Sequence, residues 1–218
     1  MKSRQFAVIG IGRFGSSLIK ELTRMGNEVL AIDIDADRVN DAVEYCTHAV
    51  QADTMDEATL KALGIRNFDV VVVAIGDNIQ ANILTTIMLK ELGVKKVIAK
   101  AQNTLHGKVL EKIGTDLVIY PERDMAIKLA RSLVSVNFLE QISLSPDYGI
   151  IELFAPHAFL NRTLADIGLR KKMRVTILAI KRGNDILVAP SPEEIFKSGD
   201  VLVALGENSG LEQLTNIE

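Results

Sequence analysis

The segment Gly10-Ile11-Gly12-Arg13-Phe14-Gly15 constrains the fold of this chain more than any other. It stands between a short apolar run at 6–9 and a stretch at 16–25 in which Leu18, Ile19, Leu22 and Met25 share one helical face. A strand, a glycine-rich turn and a helix in that order open a doubly wound α/β sheet. The first glycine permits the tight turn, the second lets the backbone approach a phosphate, and the third lets the helix pack on the strand. The helix start adds free N–H groups and the positive end of its dipole, both of which attract that phosphate. Asp33 closes the second apolar run, 18 residues after Gly15. A carboxylate there accepts hydrogen bonds from ribose hydroxyls and repels a 2′-phosphate, so the pattern favours NAD, ATP or ADP over NADP.

The same alternation continues through residue 136. Apolar runs at 6–9, 29–32, 49–52, 70–75, 96–99 and 117–119 are rich in Val and Ile and mostly do not alternate, as strands buried on both faces do not. Helical patterns fill the gaps. Thr54-Met55-Asp56-Glu57 reads as a capping box opening a helix at 58–63, helices at 82–92 and 104–113 end at Gly93 and Gly114, and Pro121 opens a helix that runs to 136. These repeats predict a Rossmann-type parallel sheet over 1–136.

The pattern changes after residue 137. The stretch 137–147 reads as a crossover or linker that ends in the turn Ser145-Pro146-Asp147. Residues 148–218 hold apolar runs at 150–154, 175–180, 186–188 and 201–205, turns at Gly183-Asn184 and 198–200, and helical patterns only at 163–169 and in the last eight residues. The expected fold class is α/β, with a second, smaller α+β lobe at the C-terminal side.

Charge and composition exclude several functions. With 25 basic and 28 acidic residues among 218, the net charge is −3, which argues against a nucleic-acid partner. Trp is absent and aromatics make up 5%, so base-stacking platforms are not expected. Cys46 is the sole cysteine, which removes disulfide frameworks and cysteine-rich zinc sites and fits a reducing cytosol. The apolar run at the start is interrupted by glycines and reads as a strand rather than a signal peptide. Runs such as 70–75 and 83–89 are too short to span a bilayer.

The candidate site follows from the strand ends, because ligands bind at the carboxyl edge of such sheets. Arg13 opposes the helix dipole at a cost of about a few tenths of a kcal/mol; it either meets a bound polyphosphate, which removes that cost, or faces solvent with no partner. Beside the loop glycines 10, 12 and 15 stand Phe14, and Ile34 next to Asp33. Asp53 and Thr54 follow the third strand; Asp53 either touches adenine or caps the next helix. Ala74, Ile75 and Gly76 close the fourth strand, with Gly76 giving close backbone approach, and Asn78 is a helix cap or a ligand contact. Lys100 ends the fifth strand and either reaches a phosphate or snorkels. Glu122 stands in the first turn of a helix, where acids are common for dipole reasons, or has a metal- or phosphate-linked role.

Catalytic chemistry is missing from this inventory. A dehydrogenase needs a proton-transfer group near the nicotinamide. Of His48, His106 and His157, only His106, at a helix start after the fifth strand, is a candidate. No zinc-protease, nucleophile-elbow or P-loop lysine pattern is present. A nucleotide site without chemistry points to sensing, and the chain is read as a non-enzyme.

The glycine loop together with AIDID at 31–35, QADTMDEATL at 51–60, VVVAIGDN at 71–78 and YPERDMA at 120–126 closely resembles the RCK, or TrkA-N, domains. The stretch LRKKMRVTILAIKRGNDILVAPSPEEIFKSGDVLVALG at 169–206 resembles the RCK C-terminal, or TrkA-C, lobe. Together they cover nearly the whole chain. Within that family the resemblance is to the regulatory subunits of Ktr potassium-uptake systems, of KtrA and KtrC type. The resemblance implies homodimers assembled into an octameric ring that binds ATP or ADP in the cleft. The ring gates a separate potassium-conducting membrane subunit of KtrB or KtrD type. It implies a cytoplasmic protein, peripheral on the inner face of the cell membrane through that partner. It matches Arg13 to the arginine that senses the γ-phosphate across the dimer and Asp33 to the ribose-binding acid. Glu122 matches a glutamate linked to a divalent cation, Mg or Ca. NAD(H) binds some family members in the same cleft. Cyclic di-AMP binds several at the C-lobe dimer interface, where Arg170, Val175 and Pro190 would fall and where Thr176 replaces an asparagine of the pattern.

Overall fold

A computed structural model describes residues 4–134 and 138–217. The chain divides into two compact units, Met1–Arg123 and Asp124–Glu218. The first unit runs β1 (Gln5–Ile9), α1 (Arg13–Arg24), β2 (Glu28–Asp33), α2 (Ala36–Ala42), β3 (His48–Gln51), α3 (Glu57–Ala62), a 3₁₀ turn (Ile65–Asn67), β4 (Val70–Val73), α4 (Ile79–Glu91), β5 (Val97–Lys100), α5 (Thr104–Ile113) and β6 (Leu117–Ile119). Helix α6 (Pro121–Val134) then crosses the division between the units.

The six strands form one parallel sheet in the order β3-β2-β1-β4-β5-β6. Chain direction across the sheet reverses between β1 and β4, which opens a crevice at their carboxyl ends. The lack of alternation in the sequence has a plain cause. Ala7, Ile9, Leu30, Ile32, Val71 and Val73 pack into one core, while Val8, Val29, Ala31, Val70 and Val72 pack into another on the opposite face. All four residues of β4 are buried. Each such side chain removed from water contributes about 1.5–3 kcal/mol, which fixes the strand positions and so the crevice.

Local chemistry sets the helix ends. The N-cap of α3 is Asp56, whose carboxylate accepts from the N–H groups of Ala58 and Thr59. The capping box read from Thr54 is therefore not formed: Thr54 is buried and its hydroxyl meets that of Thr85 at 2.9 Å. Helix α4 begins at Ile79, three residues earlier than its apolar pattern suggested, because the Asn78 side chain caps it by accepting from Ala81 N–H at 3.0 Å.

The second unit carries β7 (Phe138–Ser143), β8 (Tyr148–Phe154), a 3₁₀ turn (His157–Phe159), α7 (Leu164–Ile167), α8 (Leu169–Met173), β9 (Val175–Arg182), β10 (Asp185–Val188), β11 (Val201–Glu207) and α9 (Asn208–Thr215). Its five strands form a sheet in the order β10-β9-β11-β8-β7, with antiparallel pairing throughout. The segment 137–147 holds β7, an edge strand of this sheet, where the sequence suggested a crossover. Leu153, Ile180, Phe196, Leu202 and Leu214 are fully buried between the sheet and its helices. The fully buried Asp200 anchors the far end. Its carboxylate accepts from Arg182 Nε and Nη2, each at 2.8 Å, and from Lys197 N–H at 2.8 Å.

Candidate functional site

The crevice above β1 and β4 is a cavity of about 380 Å³. Gly10 forms its floor with φ +98°, and a side chain there would meet Ile75 N at 2.8 Å. Its N–H is held by the Ile32 carbonyl at 2.7 Å. A Cβ on Gly15 would overlap the Gly10 carbonyl oxygen, so the start of α1 rests directly on the turn. Gly12 differs from both. It is the N-cap of α1, has no side-chain cap, and a Cβ there would meet nothing within 4 Å. Gly12 lines the cavity at the start of α1, where the first-turn N–H groups carry the positive end of the helix dipole.

Asp33 ends β2 and is buried. Its Oδ2 accepts from Ile11 N–H at 2.6 Å and its Oδ1 from Asp35 N–H at 3.0 Å. Each carboxylate oxygen retains a lone pair for a ribose hydroxyl. Arg38 approaches the same carboxylate at 3.8 Å and Asp35 at 3.6 Å. Asp53 does not cap α3; its Oδ1 accepts from Met55 N–H at 2.9 Å while the residue lines the cavity. Asn78 is the cap of α4, the first of the roles weighed for it, and it also lines the cavity.

Across the cavity stands Lys100, whose side chain is 12% exposed and whose Nζ donates to Glu122 Oε1 at 2.5 Å. That hydrogen bond holds the Glu122 carboxyl below the usual range, with the Arg13 charge a smaller contribution in the same direction. The lining carries both signs of charge, with Asp33, Asp53, Asp77 and Glu122 against Arg13, Arg38 and Lys100. Arg38 approaches the Asp33 carboxylate, whereas Lys100 and Arg13 both act on Glu122. The carboxylate acceptors of Asp33 and Asp53 suit hydroxyls, and the α1 N-terminus with Arg13 and Lys100 suits phosphates.

Of the residues singled out in the sequence, Gly10, Gly12, Arg13, Phe14, Asp33, Ile34, Asp53, Thr54, Ala74, Ile75, Gly76, Lys100 and Glu122 all line this one cavity. Gly15 does not; its place is beneath the turn. Arg38 and Ala81, which carried no sequence motif, also line it, as does Met55. His106 is buried away from the lining, with Nδ1 accepting from Gln102 N–H at 3.3 Å and burial pushing its pKa down. The four candidates of the second unit are not among the residues that line the cavity. Arg170 is exposed on α8, Val175 is buried at the start of β9, Thr176 pairs with Leu205, and Pro190 follows β10. Among the described residues no group of three or more His, Cys, Asp or Glu is placed to hold a metal ion, and no helix is long and apolar enough to cross a membrane.

Comparison with known proteins bears on the family and the fold. Residues 6–121 match the TrkA-N domain and residues 150–218 the TrkA-C domain. The chain is 50% identical to Ktr system potassium uptake protein A of Bacillus subtilis over 216 residues, covering 99% of this chain and 97% of that protein. It is 49% identical to protein C of the same organism, over 93% of this chain and 92% of that protein. Among solved structures the GsuK channel superposes with a TM-score of 0.72 at 19% identity, over 99% of this chain and 39% of the channel, which supports the fold. A TrkA-N domain bearing the glycine-loop cavity, a TrkA-C domain after it and half-identity over nearly full length together place the chain in the family of Ktr potassium-uptake proteins.

Proposed function

We propose that this chain is the regulatory subunit of a potassium-uptake system and that its cavity takes ATP or ADP. In this reading residues 1–136 form the nucleotide-binding module and 148–218 the C-terminal lobe. Homodimers assemble into an octameric ring on the cytoplasmic side of a membrane-embedded, potassium-conducting partner, and the bound nucleotide sets the ring's shape and so the ion flux. The observation that carries the reading is that an uncapped helix N-terminus at Gly12, the cations Arg13 and Lys100 and the acceptor Asp33 line one cavity.

ATP and ADP share every adenosine contact, so those contacts cannot distinguish them. A ligand shifts a conformational equilibrium only through a difference in affinity for the two states. That difference must arise beyond the β-phosphate, where Arg13 is a cation on the loop itself. Glu122 is the residue for a divalent cation, Mg or Ca, whose remaining ligands would be phosphate oxygens and water. Arg170, Val175, Thr176 and Pro190 are the corresponding residues for cyclic di-AMP. The test is Arg13→Ala in the full chain. Its ADP affinity should stay within about twofold of wild type while its preference for ATP and its ATP-dependent stimulation of potassium flux disappear. Unchanged ATP-dependent stimulation would refute the assignment.

NAD(H) is the second reading, favoured by the acceptor set of Asp33, which suits an unphosphorylated ribose. An NAD-dependent oxidoreductase is less well supported, since His106 does not line the cavity.

A further inference from the structure

Three segments that line the cavity, at Thr54, Ile75 and Lys100, are bonded to a single helix. On α4, Thr85 donates to the Thr54 carbonyl at 3.3 Å and meets the Thr54 hydroxyl at 2.9 Å. One residue later Thr86 bonds only within the helix, to the Asn82 carbonyl at 2.7 Å. Asn82 bridges two strand ends. Its Nδ2 donates to the Ile75 carbonyl at 2.8 Å and to the Lys100 carbonyl at 3.1 Å. All three side chains are fully buried, yet none lines the cavity.

The Asn82 amide is turned by its surroundings. Both neighbours are carbonyls, so both need donors, and only the NH₂ end supplies two. The other end, Oδ1, is left without a partner among the described residues. Folding leaves one buried acceptor unmet in order to satisfy two carbonyls that lie just past the last β4–β5 pair, Val73 with Ala99. Those carbonyls belong to Ile75, against which Gly10 packs, and to Lys100, the partner of Glu122.

We infer that Asn82 is a positioning residue for the phosphate contacts of the cavity, holding the Ile75–Gly76 turn and Lys100 at a fixed separation, while Thr85 holds the Thr54 segment. The inference rests on the nucleotide reading only for its effect on affinity; its effect on the protein itself does not. Asn82→Ala removes both bridging bonds. Its consequence is confined to the phosphate contacts: ATP affinity falls about tenfold or more, whereas adenosine, which lacks phosphates, loses less than about threefold. Thr86→Val is the control, since it replaces a buried hydroxyl on the same helix turn that touches neither strand end.

The experiment combines two measurements on the full chain. Amide hydrogen exchange, without ligand, follows Ala74 N–H, which bonds Ile9, and Ala101 N–H, which bonds Ile119, against Gly10 N–H, which bonds Ile32. Calorimetry follows ATP and adenosine. Asn82→Ala should speed exchange at Ala74 and Ala101 about tenfold with Gly10 unchanged, and Thr86→Val should move none of the three selectively. Uniform acceleration in Asn82→Ala, or none, overturns the inference whatever the ligand. An equal loss of ATP and adenosine affinity also overturns it. If the wild type binds neither ligand, the nucleotide reading fails, and the exchange data still decide the role of Asn82.

Discussion

Two glycines of the loop make opposite predictions, and the pair separates fold from function. A methyl group on Gly15 would overlap the Gly10 carbonyl oxygen, a backbone atom that cannot swing aside. Gly15→Ala must push α1 off the turn. Overpacking against a close-packed core costs about 1–3 kcal/mol, and a backbone neighbour puts this site at the upper end. For a unit the size of Met1–Arg123 that lowers the melting temperature by about 10 °C. Gly12 has φ −75° and ψ −170°, which alanine adopts freely, and nothing lies within 4 Å of its Cβ position. There the loss of a favourable glycine N-cap and the gain from a less flexible unfolded chain nearly cancel, within about 1 kcal/mol. The new methyl group would, however, occupy the space through which a phosphate approaches the helix N-terminus. Loss of even one charge-assisted hydrogen bond weakens binding about tenfold or more. Scanning calorimetry with and without ADP reads both effects. A stable Gly15→Ala protein, or a Gly12→Ala protein that binds ADP as the wild type does, would refute this account of the loop.

In the second unit, burial raises the Asp200 pKa, but the Arg182 hydrogen bond and the Lys197 N–H outweigh it and leave the carboxyl below its ordinary 3.8. A depressed folded-state pKa means stability that is present above the ordinary value and lost as the pH falls below it. Asp200→Asn should cost about 3 kcal/mol at neutral pH and flatten that acid limb of a urea-midpoint profile. His106 has the opposite charge type with its pKa also lowered, by burial, from 6.5. The unfolded chain therefore binds this proton first, so stability should decline as the pH falls below about 6.5 until the folded-state pKa is reached, and His106→Phe should remove that part of the profile. A histidine-independent profile between pH 5 and 7 would contradict it.

The parallel sheet was legible because its strands are buried on both faces, as Val70–Val73 illustrate, and because glycines stand just past α1, α4 and α5. The cavity was legible because the glycine motif fixes one strand end and the fold places the others beside it. Other parts were not. In α2 only Val39 and Ala42 are buried, too few to give a periodic signal. Strand β7 lies at a sheet edge, with Leu139 and Ile142 exposed and Glu140 paired to Lys128, so its pattern resembles a linker. Asn82 and Thr85 read as ordinary polar helix residues because their partners are Thr54 and the carbonyls at Ile75 and Lys100, which only the crossover topology brings near. Arg38 was missed because its carboxylate partners lie at a strand end and in a turn rather than in its own helix.

The central claim is that the Gly10–Gly15 cavity takes an adenine nucleotide whose terminal phosphates meet Arg13 and Lys100. The most direct measurement is a parallel thermal-stability titration of the full chain with ATP, ADP, NADH and cyclic di-AMP, each at about 100 times its dissociation constant. A ligand that binds the folded state alone then stabilises it by about 2.7 kcal/mol. The account predicts that ATP and ADP both raise the melting temperature and that Gly12→Ala, by weakening binding about tenfold or more, cuts both shifts to about half or less. Stabilisation by NADH alone, or ATP and ADP shifts of unchanged size in Gly12→Ala, would contradict it.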